Sequence, residues 1–497
     1  MKLGRLWIKN YKNLRNCTIE FAQPHLLNFA QPHLLNAIIG SNGSGKSNLI
    51  EAILHILIGT YFKKSPPFDF SFQFEAQGRQ VVIEGEDQKL TVHVDGERKS
   101  LEYFAARLRD DVAQVYYPEL TFVYYSGECQ RVRRLIKRYQ QHFQRLTRQP
   151  ETDRLRPLFV ESSNEQSQII LLALFAHGHT RFLEHLGLKE ILNVSLVLRS
   201  PQGFNPKEHE PKLWNTEGAV RRIVAAIDEE ALSADSRRFD KTLRDGETAE
   251  VDYTETRTYH FRDDIRREKS IRDLASRLSR SGDNLYLALE HLRARGIFSS
   301  VTFQLKGRSG TDTFTFEQLS EGEKQLLAVV GAIELINRPD NLVLLDEPDT
   351  HLNPHWTWDY PSMLTDAFDS EQKRRSTVLM ATHNPIMISG LTKEQVLLAN
   401  LPSENEPLFT RPQRNPRGQG VANLICSSEF FGLPSSLDKE TQKLLDERLW
   451  ISIKQELTER DKARLKELNQ QLEIITPGVS ERDPDYVEFL RQRHSSG

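Results

Sequence analysis

The stretch "NAIIGSNGSGKSNLIEAILHIL", residues 36–57, decides the fold. Its apolar run Ala37 to Ile39 has the composition of a buried strand, and the residues after Ser47 are apolar at helical spacing. Between them the segment Gly40 to Ser47 fits the pattern G-x-x-x-x-G-K-S. The sequence therefore predicts a phosphate-binding loop between a strand and a helix.

The residue types in this loop suit a nucleotide polyphosphate. Glycines allow backbone N–H groups to surround phosphate oxygens, and the N-terminus of the following helix adds its positive dipole end. Lys46 is predicted to reach the β and γ phosphates, and the Ser47 hydroxyl is predicted to bind Mg²⁺. The expected cofactors are ATP and Mg²⁺, and the predicted nucleotide-binding residues are Gly40, Ser41, Asn42, Gly43, Ser44, Gly45, Lys46 and Ser47.

An octapeptide repeat precedes the loop. The segment "FAQPHLLN" at Phe21 to Asn28 recurs letter for letter at Phe29 to Asn36. One copy is enough to deliver the chain to the loop, so we interpret the repeat as a neutral tandem duplication that lengthens a surface turn. A metal pair of His25 and His33 is disfavoured, because no carboxylate accompanies the two at ligand spacing.

Composition sets limits on the class of protein. The 497 residues, 38% of them hydrophobic, can build two or three domains. A net charge of -3 leaves no overall polyelectrolyte character, so any basic surface must be local. Three cysteines without a CxxC pair suit a reducing compartment. The N-terminus lacks a signal-peptide core and no run reaches the ~20 apolar residues of a membrane span, so a cytoplasmic chain with no membrane contact is expected.

Strand and helix patterns divide the chain into four predicted domains. An N-terminal lobe at 1–130 and a C-terminal lobe at 301–400 form an α/β head with a mixed sheet, in which Asp95-Gly96 is a hairpin turn. A mainly helical insertion at 131–300 separates them and contains a polar stretch near 233–265. A helical C-terminal extension follows at 401–497, with its longest helical run from Glu440 to Ile475.

Three further motifs lie in the second lobe. In "LSEGEKQ", Leu319 to Gln325, a serine and a glutamate three residues apart form a capping box at the start of a helix. The run "NLVLLDEP" places Asp346 and Glu347 at the end of a buried strand, and "STVLMATHNP" places His383 at the end of another. Beside a phosphate loop, Asp346 can hold Mg²⁺, Glu347 can orient the attacking water and His383 can sense the γ-phosphate.

These motifs, in this order, resemble the ATPase heads of the ATP-binding-cassette (ABC) class, in the branch shared by the SMC, Rad50 and RecF proteins. "GSNGSGKS" corresponds to Walker A, "LSEGEKQ" to the signature, "LVLLDEP" to Walker B and "DTHLNP" to the D-loop, with His383 as the switch histidine. The resemblance implies that Ser320 and Gly322 complete the nucleotide site of a second head. ATP would then bridge a homodimer or a higher homo-oligomer.

The resemblance also suggests candidates for the Q-loop glutamine and for the residues that contact the adenine. Gln130, shortly after the strand "LTFVYY", is the candidate for the Q-loop glutamine, a metal contact. Tyr11 and Lys12 are candidates for the adenine side by position.

The insertion limits which branches of this ATPase class the chain can resemble. Its length of about 170 residues without sustained heptads excludes long coiled-coil arms. No Toprim or HNH motif is visible, so the chain is expected to be an ATPase without a nuclease of its own.

The C-terminal text at residues 416–442 and 483–493 is similar to restriction-associated ATPases of antiphage defence, in particular the Septu type, which also occurs with retrons. This similarity implies an oligomeric ATPase that controls a separate HNH endonuclease. In "SSEFFGL", Phe430, Phe431 and Leu433 form an apolar cluster that can anchor such a partner. The alternative for the tail is a helical cap packed on the head itself.

One local feature points to nucleic acid. Residues 130–157 hold nine Arg or Lys against two acids, with Tyr139 and Phe143 interleaved. The alternative is an ordinary solvated helix face.

The sequence thus predicts an ABC-type Mg-ATPase that acts as the nucleotide-gated sensor or scaffold of a bacterial antiphage complex. The alternative is a RecF-like DNA-repair ATPase that binds DNA directly. A binding module with a degenerate ATPase is disfavoured, because every catalytic position is filled.

Overall fold

A computed structural model describes most of the chain. The described residues are 1–21, 34–102, 116–126, 130–146, 158–162, 166–201, 204, 213–245, 248–261, 270–280, 284–307, 313–336, 339–368, 376–401, 407–454 and 456–475. Most of the octapeptide repeat, with His25 and His33, lies outside the described residues. The neutral role of the repeat in a surface turn, and the absence of a metal pair, therefore stay predictions.

The described strands lie between Lys2 and Thr410. They are β1 (Lys2–Tyr11), β2 (Leu14–Glu20), β3 (Leu34–Ile39), β4 (Phe70–Ala76), β5 (Arg79–Glu86), β6 (Lys89–Val94), β7 (Glu97–Lys99), β8 (Thr121–Tyr125), β9 (Phe159–Ser162), β10 (Leu188–Arg199), β11 (Ser233–Asp245), β12 (Thr248–His260), β13 (Phe298–Gly307), β14 (Thr313–Thr315), β15 (Leu342–Asp346), β16 (Thr377–Thr382), β17 (Val396–Ala399) and β18 (Phe409–Thr410).

Helices alternate with these strands. They are α1 (Lys46–Tyr61), α2 (Gln130–Leu146), α3 (Ser167–His177), α4 (Thr180–His185), α5 (Gly218–Glu230), α6 (Ile271–Arg280), α7 (Leu285–Ala294), α8 (Glu321–Leu326), α9 (Ala332–Leu335), α10 (Pro354–Ala367), α11 (Pro385–Ile388), α12 (Val421–Cys426), α13 (Lys439–Ser452) and α14 (Glu459–Ile475). A π-helical turn, Leu327–Gly331, connects α8 to α9.

The chain forms two compact units. The first unit comprises Met1–Leu35 and Ser47–Met380, and the second comprises Asn36–Lys46 and Ala381–Gly497. The four domain ranges expected from the sequence stay a prediction.

An antiparallel sheet forms the N-terminal part of the first unit, in the order β2-β1-β4-β5-β6-β7. Alternate residues of β4, Phe70, Phe72 and Phe74, are buried, as expected for a strand with one face on a core. The predicted Asp95-Gly96 turn joins β6 to β7 with φ angles of 51° and 82°. Two successive positive φ angles are typical of a type I′ hairpin turn.

Parallel strands form the part of the first unit that leads to the carboxylates. Here the order is β15-β8-β9, and every residue of β15 is buried. Strand β15 pairs in parallel with β8 from Leu342 opposite Thr121 to Asp346 opposite Tyr125. The carboxyl ends of both strands therefore meet at the same edge of the sheet.

A second antiparallel sheet has the order β11-β12-β10-β13-β14; its first three strands lie in the insertion, whereas most of β13 and all of β14 lie in the range 301–400. The polar stretch near 233–265, which has no apolar alternation, forms most of it. Strands β11 and β12 pair from Ser233 opposite His260 to Asp245 opposite Thr248. The helices α2 to α7 accompany this sheet along the chain, so the insertion mixes helices with a substantial sheet.

Helix α2 is amphipathic, and its aromatic residues lie on the buried face. Tyr139 and Phe143 are both buried, with their ring centroids 5.8 Å apart, and Tyr139 also meets Phe159 edge-on at 4.9 Å. The Tyr139 hydroxyl accepts the Leu158 N–H at 2.8 Å. Apolar packing therefore places the two aromatic residues of this basic stretch in the core.

In the second unit, β3 pairs in parallel with β17, which pairs antiparallel with β18. The expected helical run from Glu440 to Ile475 is two helices, α13 and α14, with a break between Ser452 and Glu459. The break has a local cause, since Thr458 starts α14. Its side chain accepts the Asp461 N–H at 3.2 Å while the Asp461 carboxylate accepts the Thr458 N–H at 3.1 Å.

The predicted fold class is confirmed: the chain is α/β, with mixed sheets, a phosphate-loop segment after a strand and a helical C-terminal region. Within the part of the chain that the structure describes, the helices are all too short or too polar to cross a membrane.

The burial of Tyr139 gives a test of the orientation of α2. Replacing Tyr139 by alanine removes a buried ring and leaves the Leu158 N–H unpaired, so it should destabilise the protein by about 3 kcal/mol. Arg134→Ala, on the exposed face of the same helix, should change stability by less than about 0.5 kcal/mol. Denaturant unfolding of both variants checks this, and equal effects would mean that α2 lies the other way round.

Candidate active site

The loop between β3 and α1 holds its lysine tightly. The Lys46 ammonium donates to the carbonyl oxygens of Gly40 at 2.7 Å and Ser41 at 3.1 Å. Lys46 as a whole is only 6% exposed. The Ser44 N–H also donates to the Ser41 carbonyl, at 3.2 Å. The loop thus wraps around a cation at its centre, as expected of a segment that binds phosphate.

The glycines of this loop are required by geometry. A Cβ at Gly40 would lie 2.2 Å from the carbonyl oxygen of Ala399 on β17, far inside van der Waals contact. Gly43 and Gly45 have φ angles of 84° and 101°, in a region that other residues rarely adopt. The sequence pattern and the backbone therefore agree on all three positions.

The exposure of the loop side chains differs from residue to residue. Ser41 and Asn42 are exposed, whereas Ser44 is buried. Within the described residues, the Ser44 hydroxyl has no hydrogen-bond partner. A buried hydroxyl without a partner is unusual in a native structure, and a bound phosphate oxygen would satisfy it.

Ser47 and Asp346 meet in the first unit, although 299 positions separate them. The Ser47 hydroxyl donates to the Asp346 carboxylate at 3.0 Å, and the Tyr125 hydroxyl donates to the Ser47 carbonyl at 3.2 Å. Both Ser47 Oγ and Asp346 Oδ1 are oxygen atoms of the kind that Mg²⁺ prefers. Adjacent ligands of an octahedral Mg²⁺ at ~2.1 Å lie about 3.0 Å apart, so the pair fits this ion.

Glu347 follows at the end of β15 with an unusual backbone. Its φ angle of 50° lies in the left-handed region, which typically costs a residue with a side chain ~1–3 kcal/mol. The Thr350 hydroxyl donates to the Glu347 carbonyl at 2.9 Å and stabilises the turn. Such strain is often found at functional sites.

The capping box predicted in the signature segment is present. The Glu323 carboxylate accepts the Ser320 N–H at 2.7 Å, and the Ser320 hydroxyl accepts the Glu323 N–H at 3.3 Å. Ser320 is exposed, whereas Gly322 is buried. A Cβ at Gly322 would lie 2.8 Å from the His351 carbonyl oxygen of the same chain. Gly322 therefore has a packing role within its own chain, whatever role it has toward a second head.

His383 and Gln130 each lie at the end of a secondary-structure element. His383 is exposed in the turn after β16. The next residue, Asn384, starts α11 by accepting the Ile386 N–H at 3.0 Å. Gln130 is the first residue of α2, and its side chain lies outside the described part of the chain. The roles expected for these two residues stay predictions.

The candidates for the adenine side have other partners. The Tyr11 ring is buried 4.6 Å from the Phe68 ring and 5.6 Å from the His55 ring. Burial lowers the pKa of the His55 imidazole. Lys12 forms an ion pair with Glu51 on α1. The adenine-side roles suggested for Tyr11 and Lys12 stay predictions.

Two polar residues of this region were not expected from the sequence. Tyr125 holds the Ser47 backbone, and Gln325 accepts the His351 N–H at 3.1 Å. The parallel register that sets Tyr125 opposite Asp346 depends on strand pairing. No local pattern around either residue indicates this role.

Two family models match successive segments of the chain. One, described as "AAA domain", matches residues 5–193. Another, described as "AAA domain, putative AbiEii toxin, Type IV TA system", matches residues 204–389.

Two curated proteins are similar over shorter segments. The Septu protein PtuA of Bacillus mycoides (strain KBAB4) is 29% identical over 163 residues, which cover 31% of this chain and 22% of that protein. The Retron Vc95 probable ATPase of Vibrio cholerae serotype O1 biovar El Tor is 29% identical over 149 residues, which cover 28% of each. The chain therefore spans about a quarter of the length of the curated relatives that it matches.

Solved structures include more distant matches. The SMC head domain from Thermotoga maritima has a TM-score of 0.33 and 14% identity, and covers 83% of this chain and 98% of its own. An Smc head domain with a coiled coil and joint, derived from Pyrococcus yayanosii, has a TM-score of 0.32 and 13% identity, with 82% and 96% covered.

The close approach at Gly40 gives a test of the loop. Gly40→Ala should weaken nucleotide binding at least about tenfold, because the new Cβ must displace the loop from Ala399. Gly390→Ala is the matched control, since a Cβ there meets no atom within 4 Å among the described residues. Titration with a fluorescent ATP analogue measures both. Unchanged affinity in Gly40→Ala would contradict the loop geometry.

Proposed function

We propose that this chain, an ABC-like ATPase related to the antiphage ATPases of the Septu and retron systems, hydrolyses ATP as the nucleotide-gated sensor or scaffold of a bacterial antiphage complex. The observation that supports this most is the 3.0 Å contact between the Ser47 hydroxyl and the Asp346 carboxylate. It supports the proposal because the two residues, from the segments that correspond to Walker A and Walker B, lie at the spacing of two Mg²⁺ ligands.

In this proposal the loop residues bind the triphosphate. The Lys46 ammonium, which now donates to two loop carbonyls, transfers its hydrogen bonds to the β and γ phosphate oxygens. The buried Ser44 hydroxyl gains an acceptor in the same step. Ser47 and Asp346 would hold Mg²⁺, which supplies positive charge to phosphate oxygens when it is bound.

Hydrolysis requires a base and a sensor. The Glu347 carboxylate follows Asp346 directly, and it orients the attacking water and accepts its proton. His383, exposed at the turn after β16, is proposed to contact the γ-phosphate.

Assembly is proposed to depend on the nucleotide. Ser320 is exposed at the start of the signature helix, where a second head's ATP can reach it. Two heads that each present this residue would form a cytoplasmic homodimer, or a higher oligomer, bridged by ATP.

The partner nuclease is proposed to dock on the C-terminal helices. In the apolar cluster expected to anchor a partner, Phe430 is buried, whereas Leu433 is 51% exposed and remains available for a contact. Trp450 on α13 is 57% exposed, and Ile453 and Leu457 lie exposed in the connection to α14. A cavity of about 900 Å³ lies beside these helices, lined by Trp450 and by charged residues of both. Exposed tryptophans are frequent anchors of interfaces.

A second candidate, direct nucleic-acid binding, has one observation in its favour. The exposed face of α2 carries Arg133, Arg134, Lys137 and Arg138, and the helix contains no acidic residue. Phosphates favour such a face. This surface supports the repair alternative if no nuclease partner exists.

The nucleotide chemistry is tested by two variants with different expected defects. Lys46→Ala should weaken ATP binding at least about tenfold, because it removes the phosphate-binding charge. Glu347→Gln should keep ATP affinity within about twofold but lower turnover about a hundredfold, because it removes the base. Steady-state hydrolysis and equilibrium binding are the measurements. Normal turnover in Glu347→Gln would contradict the assignment.

The docking surface is tested with an HNH nuclease encoded next to this chain. Trp450→Glu should lower co-purification of the nuclease at least about tenfold, because it places a charge in an apolar contact. Leu232→Glu, at a similarly exposed apolar residue of the insertion, is the control and should retain the nuclease. ATP binding should be normal in both. Equal retention would place the docking surface elsewhere, and absence of any complex would favour the nucleic-acid alternative.

A further inference from the structure

The end of strand β8 lies beside both proposed metal ligands. The strand register sets Tyr125, its last residue, opposite Asp346 of β15. The Tyr125 hydroxyl donates to the Ser47 carbonyl at 3.2 Å, and the N–H of the next residue, Ser126, donates to the Asp346 carbonyl at 3.2 Å. Two adjacent residues therefore hold the backbones of Ser47 and Asp346.

Both hydrogen bonds end on backbone carbonyl oxygens. They do not occupy the Ser47 hydroxyl or the Asp346 carboxylate, which contact each other at 3.0 Å. The two bonds thus fix where the ligand side chains begin without using the ligand atoms themselves.

The bond from Tyr125 is specific to its side chain, whereas the bond from Ser126 is not. A backbone N–H is present at every residue except proline, so many residues could replace Ser126 in this contact. The bond to Ser47 instead requires a hydroxyl at the end of a long, rigid ring, and tyrosine is the side chain that has one. Tyr125 is half-buried, so packing restrains its ring.

Strand β8 gives this contact a rigid base. It lies between β15 and β9 in the sheet and pairs in parallel with both. Its residues Thr121 to Tyr124 are all buried. Groups on a packed strand are held more precisely than groups on a loop. The contacts of β8 therefore resist a change in the separation between the start of α1 and the end of β15.

The observed separation of the ligand atoms suits a small cation. Adjacent oxygen ligands lie about 3.0 Å apart around octahedral Mg²⁺, whose bonds are ~2.1 Å long, but about 3.4 Å apart around Ca²⁺, whose bonds are ~2.4 Å long. Ser47 Oγ and Asp346 Oδ1 are 3.0 Å apart. Binding of Ca²⁺ would thus require the two residues to separate by roughly 0.4 Å, which the contacts of β8 oppose.

We propose that Tyr125 is a positioning residue that makes the site select Mg²⁺ over Ca²⁺. Its hydroxyl holds the start of α1 at a fixed distance from the end of β15, so the two ligand atoms stay at the spacing of the smaller ion. The inference rests on the proposed function, in which Ser47 and Asp346 hold the cation of a bound nucleotide. Without the hydroxyl, the start of α1 can move away from β15, and the larger ion binds at a smaller cost.

The test compares the affinities of Mg²⁺ and Ca²⁺ in the wild type and in Tyr125→Phe. Protein in slight excess binds a non-hydrolysable ATP analogue with Mn²⁺, and electron paramagnetic resonance records the Mn²⁺ that Mg²⁺ or Ca²⁺ displaces. The wild type should bind Mg²⁺ more tightly than Ca²⁺. Tyr125→Phe keeps the ring and removes only the hydroxyl, so it should fold. It should lower the ratio of Mg²⁺ affinity to Ca²⁺ affinity at least about fivefold.

Tyr117→Phe is the matched control. Tyr117 is completely buried, and its hydroxyl also donates to a carbonyl of α1, that of Leu57. Leu57 lies about 15 Å from Ser47 along the helix axis. Tyr117→Phe should lower the melting temperature at least as much as Tyr125→Phe, because its hydrogen bond is more deeply buried, yet keep the wild-type affinity ratio. A Tyr125 that merely stabilises α1 would give the same result as this control.

The outcomes separate the inference from the proposed function. An affinity ratio in Tyr125→Phe equal to that of the wild type, or an equal fall in both variants, would overturn the inference. A wild type that binds Mg²⁺ and Ca²⁺ equally would also overturn it. A wild type that binds no divalent cation together with the nucleotide analogue would instead overturn the proposed function.

Discussion

The contact between the Ser47 hydroxyl and the Asp346 carboxylate is the constraint on which the site depends. It joins the start of α1 to the end of β15, 299 positions apart in the chain. The contact forms because β15 is buried along its whole length and paired in parallel with β8. Tyr125, opposite Asp346 in that register, holds the Ser47 carbonyl, so the strand pairing and the helix start are fixed together.

Several local rules of protein structure are broken close to this contact. Glu347 has a left-handed backbone, and Ser44 is a buried hydroxyl without a hydrogen-bond partner among the described residues. The helix after the signature contains a π-helical turn. Such violations are expected where function limits what folding can optimise. Two of them, Ser44 and Glu347, are among the residues proposed to bind and hydrolyse the nucleotide.

Much of the candidate site was predictable because its motifs are short segments of the sequence. The loop Gly40 to Ser47 and the Ser320–Glu323 capping box each need residue types at fixed short spacing, and both are present in the structure. The strands β11 and β12 were missed, since polar residues on both faces leave no apolar alternation. The burial of Tyr139 and the pairing of Gln325 with His351 depend on tertiary packing. Neither can be inferred from spacing along the chain.

The central claim, that Ser47 and Asp346 together hold the divalent cation of a bound nucleotide, is tested most directly by electron paramagnetic resonance of Mn²⁺ in place of Mg²⁺. With a non-hydrolysable ATP analogue, the wild-type protein should bind one Mn²⁺ per nucleotide. Ser47→Ala and Asp346→Asn should each weaken this binding at least about tenfold, because each removes a ligand or its charge. Mn²⁺ affinity that is the same in all three proteins would contradict the account.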